Sequence, residues 1–371
     1  MRRSVNCQFG RNSFEVESLE HRRLMSATFT QLHPNIQVMV IGKDSSVYYS
    51  SPDSNAIKRI LPSGKTASYL VPSKYGQPSN GVAAADGSVW FACGRTFTRI
   101  SKRGKLSFLN PPLSNLASIT GFNSLVAAPD GSVWYTCNFG RPEGDGHVFH
   151  NKIIYLPGLA GRVDTAGKFS EIAIPGNIVS KSLPLPSDQT NVPGALFVGS
   201  DGNVYTIENS AVFLSTVKTG VAMLKYDRNT GVQISPVDLH GLDVASWQSV
   251  TPGASDGNLW VTTNNSLQIY DLATFTLQGG EDWLPNDDNP KFTNLAADKS
   301  GNMWFTDANT KGVLYSMNEN GDLSSYNLPG TESPTTPNGL TGYAVNTDFK
   351  GHVWIYDYEL GVLDKLTRAM K

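Results

Sequence analysis

Asp130-Gly131-Ser132-Val133-Trp134-Tyr135 decides the fold, because six other segments repeat its pattern. The copies are Asp44-Ser45-Ser46-Val47-Tyr48-Tyr49, Asp86-Gly87-Ser88-Val89-Trp90-Phe91, Asp201-Gly202-Asn203-Val204-Tyr205-Thr206, Asp256-Gly257-Asn258-Leu259-Trp260-Val261, Ser300-Gly301-Asn302-Met303-Trp304-Phe305 and Lys350-Gly351-His352-Val353-Trp354-Ile355. Each sets a tight turn before a branched or apolar residue and an aromatic position, which reads as the entry to a β-strand. The aromatic positions 48, 90, 134, 205, 260, 304 and 354 lie 42, 44, 71, 55, 44 and 50 residues apart. That spacing suits a four-stranded propeller blade and is too long for one coil of a β-helix. Seven copies predict an all-β, seven-bladed β-propeller.

Around each turn the same order of strands can be written. In the third copy, strand a is predicted over 122–128, strand b over 132–137, strand c beginning at 152–156 and strand d over 168–174. Strand d has its own signature, as in Lys65-Thr66-Ala67-Ser68-Tyr69, Lys105-Leu106-Ser107-Phe108-Leu109 and Asp322-Leu323-Ser324-Ser325-Tyr326. Thr28-Phe29-Thr30-Gln31-Leu32-His33-Pro34 carries a further copy ahead of the first strand a, whereas the last repeat stops after its strand c. The early stretch is therefore expected to supply the last blade's outer strand and close the ring. The predicted organisation is an N-terminal segment over 1–27 and one propeller domain over 28–371.

The composition narrows the function. Charged residues make up 17% of the chain, with 30 basic and 32 acidic side chains giving a net charge of -2. No whole-chain field draws in nucleic acid or an anionic membrane. No run of 18 or more apolar residues is present to span a bilayer. Three cysteines make no disulfide framework. Cys93 and Cys137 each follow a repeat aromatic by three residues and are expected as buried free thiols. A monomer is the expectation.

The propeller units resemble those of the virginiamycin B lyase (streptogramin lyase) family, whose blades read Asp-Gly-x-Leu-Trp-Phe-Thr-Glu. Trp90-Phe91, Trp134-Tyr135-Thr136, Trp260-Val261-Thr262, Trp304-Phe305-Thr306-Asp307 and Trp354-Ile355 carry the likeness. The marks of WD40 repeats do not recur from unit to unit: Trp-Asp is absent and Gly-His stands only at Gly146-His147 and Gly351-His352. Near the start, Leu19-Glu20-His21-Arg22-Arg23-Leu24-Met25-Ser26-Ala27 resembles a Leu-Glu-Pro-Arg-x-Leu-Leu-Ser-Ala motif of large exported bacterial proteins, with His21 for Pro and Met25 for Leu. This implies an exported, extracellular or cell-surface protein; a disordered basic tail is the alternative.

Connectivity sorts the loops by face. The a–b and c–d turns are short and Gly-rich, while insertions at 138–151, 175–193, 209–221, 240–249, 280–291 and 329–339 all belong to b–c or d–a connections. Long loops on one side of a rigid ring are where binding is expected, and the partner there is a small molecule, glycan, peptide or protein. The repeated Trp residues suit inter-blade packing, whereas Trp247 and Trp283 break the repeat and are recognition candidates. Three residues beyond each repeat aromatic stand Ser51, Cys93, Cys137, Glu208, Thr263, Asp307 and Asp357. Glu208, Asp307 and Asp357 form a candidate set for a cation or a proton, against solvated or hydrogen-bonded rim groups as the alternative. His147 and His150, with Glu143 and Asp145, are a weaker ligand set, and Asp287-Asp288 suits calcium or a turn.

The resemblance also implies lyase machinery: a His opening the last blade's inner strand in a Pro-His-Gly-Ile context, a Glu after that blade's Trp, and a magnesium ion. Here the first stretch reads Pro337-Asn338-Gly339-Leu340, and the Glu position holds Tyr358 between Asp357 and Glu359. A further family His aligns with Thr293. Asn338 cannot act as a base, so a binding module is expected. A magnesium-assisted carbon–oxygen lyase or related hydrolase using relocated acidic and His residues is the alternative, and a surface-structural module the third.

Overall fold

A computed structural model describes residues 36–51, 54–112, 119–139, 159–173, 192–199, 201–210, 220–229, 233–237, 249–253, 257–263, 266–281, 290–307, 309–310, 312–318, 320–328, 343–348, 350–357 and 362–366. Seven antiparallel sheets follow one another along the chain, six of four strands and one of three. Each runs a-b-c-d in sequence order, as hairpins joined by short turns must. The seven strands b are Val47–Ser51, Val89–Cys93, Val133–Phe139, Val204–Ser210, Asn258–Thr262, Met303–Asp307 and Val353–Asp357. They coincide with the seven repeated segments, and the architecture is the predicted seven-bladed propeller. The last sheet holds Tyr343–Thr347, Val353–Asp357 and Val362–Leu366. The stretch expected to complete it, 28–34, lies outside the described residues.

The a–b turns form as the sequence dictates. Gly87, Gly131, Gly202, Gly257, Gly301 and Gly351 all have φ between 72° and 86°, a region open to Gly without steric cost. Blade 1 has Ser45 at this position, held at φ 63°. The turn Asp then binds the residue two places on: Asp86 Oδ1 accepts from Ser88 N at 2.8 Å and Ser88 Oγ at 2.6 Å, and Asp130 treats Ser132 the same way. In blades 6 and 7 the acid sits earlier, at Asp298 and Asp348, and accepts from Asn302 and His352 instead.

The core lies between blades. Trp90 packs with Phe97 of its own blade and with Phe122, Val133 and Tyr135 of the next. Trp134 meets Leu196, Val204 and Tyr226, Trp260 meets Phe292, Met303 and Phe305, and Trp304 meets Val345, Val353 and Ile355. Tyr48 and Tyr205 take the same place in blades 1 and 4. Trp354 of blade 7 packs with Ile36, Met39, Ile41 and Val47 of blade 1, closing the ring. Across that last seam Ile36 N donates to Tyr356 Oη at 3.1 Å.

One expected boundary changes, and one lies outside the described residues. Strand c of blade 3 includes Leu159–Val163, while the start expected at 152–156 falls outside the described residues. Its position follows from the c–d turn, where Asp164 Oδ1 accepts from Ala166 N and Lys168 N and fixes the hairpin at that point. The insertion expected at 209–221 is shorter, because Asn209 pairs Val221 and Ser210 pairs Gly220 across strands b and c. Among the described residues, no helix is long and apolar enough to cross a membrane.

Candidate functional site

Strand b carries its C-terminal residues to the face opposite the short turns. Asp307 and Asp357 end their strands, and Glu208 stands near the end of its own. Glu208 is in register with Pro193 and Ala222, Asp307 with Phe292, and Asp357 with Tyr343 and Val362. The three predicted carboxylate positions therefore share one rim, in blades 4, 6 and 7. Solvation does not explain two of them: Asp307 is 1% exposed and Asp357 9% exposed. Ser51, Cys93, Cys137 and Thr263 at the matching positions are buried too.

Asp307 is the most informative of these. Its Oδ1 accepts from Lys291 N at 2.8 Å and Asn309 N at 3.1 Å, but its buried Oδ2 has no hydrogen-bond partner among the described residues. A buried carboxylate oxygen left unmatched costs free energy unless something else completes it. The neighbouring inner strand is distorted at this level. Phe292–Ala297 bulges between Thr293 and Ala296, and Asn294 adopts φ 56° while its Nδ2 donates to Thr306 Oγ1 at 3.2 Å. Bulges re-aim side chains, and non-Gly residues in the left-handed region concentrate at functional positions. Inner strands of blades 2 and 4 bulge at the same end, between Pro78 and Asn80 and between Pro193 and Leu196.

The other rim residues differ in chemistry. Asp364 of strand c lies close enough to Asp357 to feel its charge: burial first, then that charge, pushes the Asp364 carboxyl above its usual range. Cys93 and Cys137 are buried and unbridged, as expected. Burial pushes the Cys93 thiol up to about 11, although Thr98 Oγ1 lies 3.2 Å from its sulfur, which disfavours the thiolate that a nucleophile needs. Trp247, Trp283, His147, His150, Asn338 and Tyr358 lie outside the described residues, as do Glu143, Asp145, Asp287 and Asp288.

Magnesium, which the family resemblance implies, takes hard oxygen donors in near-octahedral geometry. Among the described residues, no three carboxylate, imidazole or thiol groups converge. Asp307 and Asp357 end strands b of neighbouring blades, and no step is routed through a magnesium ion.

A repeated device on the opposite face has no counterpart in the motifs read from the sequence. In four blades a cation from strand c lies over the strand b aromatic: Arg59 over Tyr48, Arg99 over Trp90, Lys225 over Tyr205 and Lys365 over Trp354 at 5.1 to 5.5 Å from the ring centroid; in blade 3, Arg162 stands in register beside Trp134. Four of these cations pair with the turn acids Asp44, Asp86, Asp130 and Asp201. Partial burial pushes those four carboxyls up, but their hydroxyl, amide and cationic donors outweigh it and hold them below the usual range. The signal was present as a basic residue followed by an apolar one at each strand c end: Arg59-Ile60, Arg99-Ile100, Arg162-Val163, Lys225-Tyr226 and Lys365-Leu366.

No protein-family model matches the chain, and no curated protein matches its sequence. Solved structures do. A streptogramin B lyase superposes with a TM-score of 0.61 at 16% identity, covering 91% of this chain and 95% of its own. A catalytically inactive His-to-Ala virginiamycin B lyase from Staphylococcus aureus, crystallised with quinupristin, gives 0.62 at 16%, covering 93% and 98%. A mitotic checkpoint complex chain also gives 0.62, at 9% identity over 100% of both chains. Scores this similar from proteins so different in role establish the propeller fold and nothing finer.

Proposed function

We propose that this protein is a binding module that engages its ligand on the loop-rich face, with Asp307 as a central contact, and does not carry out streptogramin lyase chemistry. The observation that supports it is the Asp307 carboxylate, 1% exposed with Oδ2 unpartnered beside a bulged inner strand. Such an oxygen suits a ligand's N–H, O–H or ammonium donor, because a donor placed there offsets a desolvation cost already incurred. Absence of the lyase imidazole from the aligned position, where Asn338 stands, supports binding over catalysis: an amide takes up no proton near neutral pH. The ligand is a compact polar molecule, glycan or peptide segment, and the setting is outside the cell.

Quinupristin and magnesium chloride test the catalytic half, with the depsipeptide ring followed by mass spectrometry. The ring is expected to stay intact; opening that stops with chelator and in Asp357→Ala overturns the binding-only reading. For the binding half, thermal shifts with quinupristin, chitotetraose and tetra-alanine are compared between native protein and Asp307→Asn. At least one is expected to stabilise the native protein only. Equal stabilisation of both proteins, or of neither, removes Asp307 from the site.

A further inference from the structure

We propose that the short-turn face of blades 1 to 3 is a second binding surface, built for a linear anionic polysaccharide. The near-neutral chain conceals a strong imbalance: residues 36–173 hold 14 basic and 8 acidic side chains, whereas residues 192–366 hold 8 basic and 20 acidic. Within the basic half, the acids of the short-turn face are already engaged. Asp44, Asp86 and Asp130 pair with Arg59, Arg99 and Arg162, and Asp164 accepts from its own turn's backbone. Lys65, Lys102, Arg103, Lys105 and Lys168 remain exposed and enter no ion pair among the described residues. They set the charge that this face presents.

Their placement is systematic. The c–d turns of blades 1, 2 and 3 read Gly64-Lys65, Gly104-Lys105 and Gly167-Lys168, while the same turn in blade 6 reads Gly321-Asp322. Contacts between blades join the three turns into one arc. Lys43 Nζ donates to Ala85 O at 2.8 Å, and Arg99 Nη1 donates to Thr165 O at 3.2 Å. Within blades, Lys102 lies against Gly87 and Thr165 against Gly131; between blades, Tyr69 lies against Gly104 and Leu109 against Gly167. An arc of fixed cations spread over three blades matches a polymer with regularly spaced charges better than a single small anion.

Chemistry selects among polymers. Single-stranded nucleic acid is held by exposed aromatic side chains on which bases stack; the strand b aromatic residues beneath these turns, Tyr48, Trp90 and Trp134, are at most 2% exposed. The one helix among the described residues, the 3-10 turn Ser73–Tyr75, is too short to enter a duplex groove. The acid excess of blades 4 to 7 opposes a flat anionic bilayer spread over the disc. Carboxylate and sulfate groups on a flexible chain can follow the basic half alone, and Lys and Arg recognise them by charge and hydrogen bonding.

The test uses the full chain with alginate as the carboxylated probe and heparin as the sulfated one, at low salt and at about 0.5 M salt, where charges are screened within a few ångströms. Binding to at least one polymer is expected at low salt and loss of it at high salt. The variant K102E/R103E/K105E is expected to bind about tenfold or more weakly, and K65E/K168E to follow in the same direction should the triple variant fail to fold. The control K299E/K350E, on the same face of blades 6 and 7, is expected to leave binding unchanged. Failure of both polymers to bind at low salt overturns the proposal, as does equal weakening by the control. Tighter binding of duplex DNA or of phosphatidylserine vesicles, with the same sensitivity to K102E/R103E/K105E, replaces the polysaccharide with that partner.

Discussion

The two faces of this propeller are built by different rules. On the short-turn face, blade after blade repeats one local recipe: a turn acid binding the residue beyond it, a Gly at positive φ, and an aromatic side chain locked against the next blade. On the opposite face the equivalent positions hold Ser51, Cys93, Cys137, Glu208, Thr263, Asp307 and Asp357, with no common chemistry. The first face repeats because every blade has the same packing problem. The second diverges because packing does not dictate it, and that freedom is what a binding site needs.

Substitutions can break this contrast. The largest expected effect is on the repeated side: Trp304→Ala removes a fully buried ring and the donor to Asp298 Oδ2 at 2.9 Å, costing about 3–5 kcal/mol in a denaturant titration. Asp307→Asn, at the same depth but on the divergent side, is expected to leave stability undiminished, since it retains Oδ1 as acceptor and removes a buried charge. A loss rivalling that of Trp304→Ala makes Asp307 a structural residue and ends the contrast.

A gain of about 1 kcal/mol in melting free energy is expected from Ser45→Gly. It restores the consensus turn, relieves φ 63° and removes a buried hydroxyl that has no partner among the described residues. The reverse change at Gly131, to Ala, is expected to cost about as much, because φ is 86° there and an added Cβ meets Thr165.

The smallest effect distinguishes the faces by pH. The turn acids Asp44, Asp86, Asp130 and Asp201 have depressed folded-state values. Their contribution is fully present above the unfolded Asp value of about 3.9 and is lost as pH falls through the folded values. Asp364, raised by burial and by Asp357, has the opposite sign: its charged form costs stability near neutrality, and acid relieves that cost. Asp364→Asn is therefore expected to raise stability at pH 7 and to lose its advantage as pH drops toward 4. An advantage constant with pH removes the electrostatic explanation.

Blade count, turns and Trp packing were legible in the sequence because their causes are local: a turn acid and its donor lie two to four residues apart, and the aromatic follows at fixed spacing. The start of strand c in blade 3, read at 152–156, lies outside the described residues; its end at Val163 is set by the Asp164 turn, whose hydrogen bonds are local. At the candidate site, the position of Asp307 at the strand end was legible, but its burial and unmatched Oδ2 were not. The Asn309 amide that binds Asp307 is local, two residues on, but the Lys291 amide and the burial come from how the blade folds around the strand end.

The seam joining blades 7 and 1 has a kinetic consequence. Six seams unite blades adjacent in sequence, whereas the contact from Ile36 to Tyr356 joins residues 320 apart. Closing a loop of that length costs roughly 1.6 kcal/mol more chain entropy than closing one of about 50 residues. The blades can assemble progressively as an open arc whose long-range junction forms last. Hydrogen bonds and side chains at that junction then convert the curvature of seven separate seams into a single closed body.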